Sequence, residues 1–171
     1  MQFRDLKPEE IELRVGMMNE KGLTLLLYKN ARVDMDILDE TLGTENWQRE
    51  HKELKGNIYC GVSIWDEKHQ QWVTKWDAGA ESYTEKEKGE ASDSFKRACV
   101  NIGIGRELYT APFIWIPAEK YKTEPKNGKN ILKDKFHVSA IKIENKRIIG
   151  LQIENQNNQE VYLLKPPTSK S

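Results

Sequence analysis

The fold is decided by residues 85–109, EKEKGEASDSFKRACVNIGIGRELY, whose pattern is that of one long helix followed by a glycine turn. Apolar positions recur at spacings of three and four, as expected of a helix that packs one side on a core. These positions are Ala91, Phe95, Ala98, Cys99 and Ile102. Gly103 and Gly105 follow, and glycine commonly ends a helix because it adopts positive φ without strain. The sequence therefore predicts a helix over 85–102 with one buried side.

The other side of this predicted helix is polar and partly basic. Lys88, Ser92 and Lys96 recur every four residues, and Arg97 lies beside them. A row of positive charge on a packed helix could follow a phosphate backbone. The same residues also fit a plain solvated face, in which Asp93 forms an ion pair with Arg97 one turn later.

Three strands are predicted immediately before the helix, over 47–55, 58–65 and 72–77. Gly56-Asn57 is a turn signal between the first two, and a polar stretch over 66–70 separates the last two. The segment is therefore an antiparallel meander that leads into the helix, a β-β-β-α core. Aromatic side chains in and near it could stack on nucleic-acid bases, or could serve as core and subunit contacts. They are Trp47, Tyr59, Trp65, Trp72, Trp76 and Tyr109.

Shorter signals predict the segments before the meander. Pro8 and the stripe of Ile11, Val15 and Met18 indicate a helix that ends at Gly22. The leucine-rich run over 23–28 is typical of a buried strand, and apolar spacing over 32–42 indicates a second helix.

Beyond the glycine turn, the pattern predicts a strand over 113–116, a hairpin of strands 136–143 and 147–153, and a last strand over 161–164. The expected organisation is a core over 1–119, a basic loop over 120–135, a β-hairpin extension of the same domain over 136–165, and a disordered tail over 166–171.

Charge is unevenly distributed along a chain that has 27 basic and 27 acidic residues and a net charge of zero. Residues 1–119 hold 16 Lys and Arg against 22 Asp and Glu, whereas residues 120–147 hold nine against three. The basic segment is either a solvated lysine-rich loop or a contact for a polyanion.

Cofactor and membrane chemistry find little support in the sequence. Cys60 and Cys99 are the only cysteines, and three scattered histidines show no metal-ligand spacing. The first residues do not resemble a signal peptide, and no apolar run reaches the ~20 residues of a membrane span. We therefore expect a cytoplasmic protein with reduced thiols, without a metal or cofactor and without membrane contact.

Nucleotide-binding and hydrolase motifs are missing from the sequence. Neither GxxxxGK[ST] nor GxGxxG occurs, and Gly103-Ile104-Gly105 ends a helix where a phosphate loop would open one. One catalytic arrangement remains open: Asp39, Glu53 and Lys55 have the Asp…Glu-x-Lys order of metal-dependent nucleases. In a chain so rich in charge, such a triplet is also expected by chance.

Two blocks of the sequence resemble the annealing domain of the Rad fifty-two superfamily. Residues 31–50, ARVDMDILDETLGTENWQRE, are similar to its opening helix, which ends in Gly-x-x-x-Trp and runs into the first strand. Residues 85–109 are similar to its long Lys-Arg helix and Gly-Ile-Gly-Arg turn. The combination looks like the phage branch, the Sak-type single-strand annealing proteins, and covers about residues 8–116.

The resemblance implies an α+β domain, with a twisted antiparallel sheet and a long helix packed on it, that assembles into a homo-oligomeric ring or filament. In such an assembly one DNA single strand lies in a positively charged groove with its bases presented to a complementary strand. Pairing supplies the free energy, so neither ATP nor an enzymatic step is implied.

The resemblance also assigns single-strand contacts. Lys96 and Arg97 match the family's Lys-Arg pair, and Arg32 lies within one position of a groove arginine. Lys88 is a neighbour on the same helix row, and Arg106 is expected to supply a further charge. Two positions depart from eukaryotic members, which have an arginine where Val100 stands and a tyrosine where Thr44 stands.

The function expected from the sequence is ATP-independent annealing of complementary DNA strands in phage-type recombination and repair. The partners would be single-stranded DNA, its complement, other copies of the chain and a single-strand binding protein, in the bacterial cytoplasm if a phage encodes the chain. Two alternatives stay open: protection of single strands or DNA ends without annealing, and a nuclease that uses Asp39, Glu53 and Lys55.

Overall fold

A computed structural model of the chain describes residues 2–80 and 86–167, and within the helix that begins at residue 86 the side chains of 86–88 are not described. The fold is α+β and its strands pair antiparallel. The chain forms two compact units: residues 1–4 with 30–105, here the helix–sheet unit, and residues 5–29 with 106–171, here the β-rich unit. No helix in the described residues is long and apolar enough to span a membrane.

In residues 2–80 and 86–167, the elements follow one another in chain order as strands and two α-helices, with 3-10 turns at Pro8–Glu10, Arg106–Thr110 and Ala118–Lys120. They are β1 (Ile11–Asn19), β2 (Gly22–Lys29), α1 (Ala31–Leu42), β3 (Trp47–Leu54), β4 (Asn57–Asp66), β5 (Gln71–Ala78), α2 (Lys86–Ile102), β6 (Ile114–Pro117), β7 (Thr123–Lys126), β8 (Lys129–Leu132), β9 (Phe136–Glu144), β10 (Arg147–Asn155) and β11 (Glu160–Leu164).

The helix–sheet unit confirms the β-β-β-α prediction. Strands β3, β4 and β5 form one sheet in that order, and α2 packs on one of its faces. The contact is formed by fully buried residues from both elements, since every second residue of β4 points to the helix. These residues are Cys60 and Val62 of β4 and Phe95, Ala98 and Cys99 of α2.

Helix α2 is also tied to the sheet by hydrogen bonds near its first turns. The buried Glu90 carboxylate accepts a bond from the backbone N–H of Ile58 at 2.7 Å. Gly79 lies directly against this point, because a side chain at residue 79 would collide with the carbonyl oxygen of Glu90. The helix is therefore held in one position on the sheet as well as buried on it.

Helix α1 begins and ends at the residues its sequence indicates. The Asn30 side chain caps it by accepting from the backbone N–H of Arg32 at 3.0 Å, and Gly43 closes it with φ +77°. Its inner side buries Ile37 and Leu38.

The β-rich unit contains two three-stranded sheets, ordered β1-β2-β6 and β11-β10-β9. The strands predicted over 23–28, 113–116, 136–143, 147–153 and 161–164 are confirmed within one or two residues. The prediction of a disordered tail falls mainly on residues 168–171, which lie outside the described residues. Pro166 packs close against Gly150.

The helix predicted over residues 8–21 is wrong. Only Pro8–Glu10 forms a 3-10 turn, and residues 11–19 form β1, which pairs along β2. Ile11, Leu13 and Val15 alternate with period two, and the leucine-rich β2 supplies a partner that an isolated helix would lack. Gly16 fits this pairing, because a side chain there would lie 3.0 Å from the hydroxyl oxygen of Thr24.

The segment predicted as a basic loop contains the two-stranded hairpin β7–β8. Its turn has positive φ at both Asn127 (+50°) and Gly128 (+73°), the geometry that this dipeptide favours in tight hairpins. The Asp134 carboxylate holds the base of the hairpin by accepting from the backbone N–H of Lys122 and from the side-chain amide of Gln156, each at 2.8 Å.

The two hydrogen bonds that the Asp134 carboxylate accepts predict a specific pH dependence. The hydrogen bond from Gln156 is the largest cause that holds the pKa of Asp134 below its ordinary value, opposed by burial and helped by Lys122 and Lys133. A carboxyl whose pKa is lowered by folding stabilises the fold above its unfolded pKa of about 3.9, and loses that contribution as the pH falls through the folded value. We expect Asp134→Asn to lower the free energy of unfolding at pH 7, and the difference from wild type to shrink below pH 4. Urea unfolding at a series of pH values measures this, and a difference that is constant with pH would contradict it.

Candidate nucleic-acid interface

The sequence-predicted cations of α2 lie outside the side of the helix that is buried on the sheet. Lys96 is half-buried and Arg97 is exposed, whereas Phe95, Ala98 and Cys99 are fully buried. Because α2 is locked to the sheet, both basic side chains start from fixed backbone positions. Fixed cations on a solvent-facing side are what a phosphate backbone needs.

Arg97 pairs with a different acid from the one its sequence suggests. Its Nε lies 3.4 Å from Oδ1 of Asp77, at the end of β5, while Asp93 accepts a hydrogen bond from the backbone N–H of Ala80 at 2.9 Å. The intrahelical pair of Asp93 with Arg97, which the solvated-face alternative includes, is therefore not formed, because Asp93 instead binds the backbone of Ala80 directly after β5. An exposed ion pair of this kind contributes little free energy, so an incoming phosphate can exchange with Asp77.

Arg49 of β3 is a basic residue of this region that the sequence reasoning missed. Its guanidinium lies 4.8 Å from the ring centre of Phe95, and its Nη1 lies 3.9 Å from the sulfur of Met35. Arg49 thus links α1 to α2 and places a charge on the β3 side of α2, with Arg97 on the β5 side. The signal was period-two alternation: Trp47, Arg49 and His51 share the helix-facing side of β3.

The charge of Arg49 also acts on the buried thiol of Cys60. Burial raises the pKa of Cys60 to about 11, and the nearby Arg49 guanidinium opposes that rise. The thiol therefore stays protonated at neutral pH, and Cys60 is a residue of the core.

Arg32 lies in the first turn of α1 and is exposed. It precedes Met35 by three residues, and side chains at that spacing share one side of a helix. Since Arg49 contacts Met35, Arg32 and Arg49 belong to the same side of the helix–sheet unit.

The two remaining predicted site residues are Lys88 and Arg106. The side chain of Lys88 lies outside the described residues, although its backbone continues α2. Arg106 is exposed and begins the 3-10 turn Arg106–Thr110, after Gly103 and Gly105 have ended α2 with φ of +111° and +69°. Arg106 belongs to the β-rich unit.

The structure does not bring together the residues of the nuclease alternative. Asp39 of α1 accepts a hydrogen bond from the indole N–H of Trp47 at 2.6 Å, at the start of β3. Glu53 lies near the other end of the same strand, roughly 20 Å away at the usual rise of a β-strand. No group of three or more metal-ligand side chains occurs in the part of the chain that the structure describes. The pairing of Asp39 with Glu53 on one cation is therefore wrong.

The aromatic residues divide between core and surface. Trp47 packs on Phe95 with ring centres 6.2 Å apart and belongs to the core. On the sheet face opposite α2, Trp76 lies against Gly61 with the Lys52 ammonium 4.8 Å from its ring centre, and Trp76 is 38% exposed. Trp72 of the same face is 41% exposed and forms an edge contact with Trp65. Tyr109 is exposed in the β-rich unit.

Comparison with known protein families identifies the arrangement. The family model described as Rad52/22 family double-strand break repair protein matches residues 3–127, more than half of the 171-residue chain. The matched range includes α1, the meander and α2 with its Lys96-Arg97 pair. No curated protein sequence matches the chain. The family match agrees with the β-β-β-α core described above, and the chain belongs to the Rad52/22 family of double-strand break repair proteins.

Proposed function

We propose that this chain binds single-stranded DNA and anneals complementary strands without ATP, as a homo-oligomer. Membership of the Rad52/22 family assigns it to DNA repair and recombination, with annealing as the activity of the family. The finer proposal is a phage-type annealing protein, related to the Sak branch. Val100 and Thr44 depart from the eukaryotic pattern of the family.

The single observation that carries the proposal is the set of cations around α2, namely Arg49, Lys96 and Arg97. Lys96 and Arg97 stand on a helix whose other side is buried on the sheet, and Arg49 reaches the ring of Phe95 from the adjacent strand β3, so the separation of these cations does not depend on flexible loops. Binding of the backbone by such charges is independent of base sequence. A protein that pairs any two complementary strands requires this kind of contact.

One feature of the chain and one property of DNA support annealing without nucleotide hydrolysis. The sequence has no phosphate-binding glycine motif. Base pairing itself releases free energy, because stacking in a duplex is worth about 1.4 kcal/mol per step. The protein then needs only to hold one strand extended and to raise the local concentration of the other.

Oligomerisation is supported by the edges of the helix–sheet unit. Strands β3 and β5 are the outer strands of their sheet in the described part of the chain, so each has one edge without a partner. An open edge is a template for pairing with another chain. Joining β3 of one copy to β5 of the next would continue the sheet and line up the α2 cations of successive copies. We also propose that the chain acts in the bacterial cytoplasm and has a single-strand binding protein as a partner.

The direct test is annealing of two complementary fluorescent oligonucleotides in EDTA without ATP, over a salt series. We expect acceleration well above the spontaneous rate, falling as salt rises because phosphate contacts weaken. Tight binding to single strands without acceleration would replace this proposal with strand protection. Absence of both binding and acceleration would refute it.

The DNA contact is tested by two substitutions around α2, one that removes positive charge and one that removes negative charge. Lys96→Ala with Arg97→Ala should weaken binding to a dT oligonucleotide by about tenfold or more, and should lower the salt slope by about 1.4, since each phosphate contact contributes about 0.7. Asp77→Asn should strengthen binding, because it releases Arg97 from its ion pair.

The matched control is Lys55→Gln with Lys68→Gln, which removes two exposed charges from turns of the same unit. Fluorescence polarisation measures all four proteins, and circular dichroism checks their folding. An equal loss in the control pair, or an unchanged slope in the Lys96 and Arg97 variant, would contradict the assigned contact.

The oligomer is tested by light scattering at micromolar protein, with and without a dT oligonucleotide. We expect a mass that is a multiple of the 19.9 kDa monomer. Replacing Lys52 by proline in β3 should reduce that mass, because proline removes a backbone donor and disrupts an edge. A clean monomer under both conditions would refute assembly.

A further inference from the structure

The hairpin β7–β8 carries an unusual concentration of positive charge. Lys122 and Lys126 lie on or before its first strand, and Lys129 and Lys133 on or after its second, and all four side chains are exposed. Lys126 stands directly opposite Lys129 across the Asn127-Gly128 turn. The tip of the hairpin therefore presents two ammonium groups side by side.

This arrangement is unfavourable on its own. Like charges directly opposite on paired strands destabilise a hairpin, and none of the four lysines forms an ion pair within residues 2–80 and 86–167. Asp134 is buried and already accepts two hydrogen bonds at the base of the hairpin. A bound anion would remove the repulsion at the tip.

The base of the hairpin is fixed firmly enough to present this charge. Besides the two hydrogen bonds to Asp134, the backbone N–H of Lys133 donates to the carbonyl of Lys122 at 2.9 Å. The backbone N–H of Lys135 donates to the side chain of Gln156 at 2.9 Å, in the turn between β10 and β11. The lysines therefore extend from a hairpin whose base and strand register are fixed by hydrogen bonds.

The chemistry of the hairpin favours a phosphate backbone over a protein surface. Its tip exposes lysine, asparagine, glycine and proline, whereas Ile131 and Leu132 near its base are half-buried. Protein interfaces are depleted in lysine and depend on aromatic and apolar anchors. A phosphodiester chain requires only charges at short spacing, since binding is driven by release of counterions.

We propose that the β7–β8 hairpin is a second phosphodiester-binding element, in which Lys126 and Lys129 contact the DNA backbone and Lys122 and Lys133 support them. The proposal rests on the proposed function and deepens it by adding a DNA contact in the β-rich unit. Lys129 and Lys133 lie beyond residues 3–127, the range that the family model matches.

The test is Lys126→Gln with Lys129→Gln in the full chain, measured by fluorescence polarisation over a salt series. The probes are a dT oligonucleotide, a blunt duplex and polyglutamate. We expect the salt slope to fall by about 1.4 on the single strand or about 1.8 on the duplex, from about 0.7 and 0.9 per contact. The probe that loses slope shows whether the hairpin holds an unpaired strand or the paired product.

The matched control is Lys7→Gln with Lys165→Gln, two exposed lysines of the same unit outside the hairpin. Thermal unfolding should show the hairpin variant at least as stable as wild type, because the like-charge pair is gone. Slopes unchanged on both DNA probes, or an equal change in the control, would overturn the hairpin contact. So would loss of polyglutamate binding with DNA binding intact, which would assign the hairpin to an acidic protein.

The results with the wild-type protein show whether the hairpin contact alone or the whole proposed function is wrong. If wild type binds and anneals DNA and the hairpin variant has the wild-type slope, only the hairpin contact is wrong. If wild type binds no DNA at any salt concentration, the proposed function and the hairpin contact are both wrong.

Discussion

The packing of α2 on the sheet of β3, β4 and β5 is the contact on which the candidate interface depends. Phe95, Ala98 and Cys99 bury one side of the helix against Cys60 and Val62. Glu90 then fixes its position by binding the backbone of Ile58. These contacts fix the rotation of the helix, so Lys96 and Arg97 stay outside its buried side. Burial on one side thus determines where charge is presented on the other.

The cations around α2 are held by contacts that are weak enough to exchange. Arg97 pairs with Asp77 at the surface, and Arg49 lies over the ring of Phe95. An exposed ion pair contributes about 0–1 kcal/mol, and an exposed cation–π contact contributes about 0.5–1 kcal/mol. Such contacts hold a side chain near its place without competing strongly with phosphate. The core contributes rigidity while the charged side chains remain available.

The net charge of zero conceals two local concentrations of positive charge, one in each unit. In the helix–sheet unit, a few cations are placed by a packed helix among many acids. In the β-rich unit, lysines are concentrated on one anchored hairpin, opposite one another in register. At physiological ionic strength charges are screened within about 8 Å, so local placement governs binding by a polyanion and the overall sum does not.

The sequence by itself determined the elements whose signals are long and local: α2 with its glycine turn, the meander and α1. Each follows from a period of 3.6 or 2 that extends over many residues. Only the tertiary structure decided the rest. Residues 11–19 became a strand because β2 offered a partner, and the basic loop became a hairpin because Asp134 and Gln156 hold its base. Arg49 came to lie over the ring of Phe95, Arg97 paired with Asp77, and Asp39 was separated from Glu53, because these relations join residues distant in sequence. Spacing along the chain records which side of an element a residue occupies, and packing decides what that side meets.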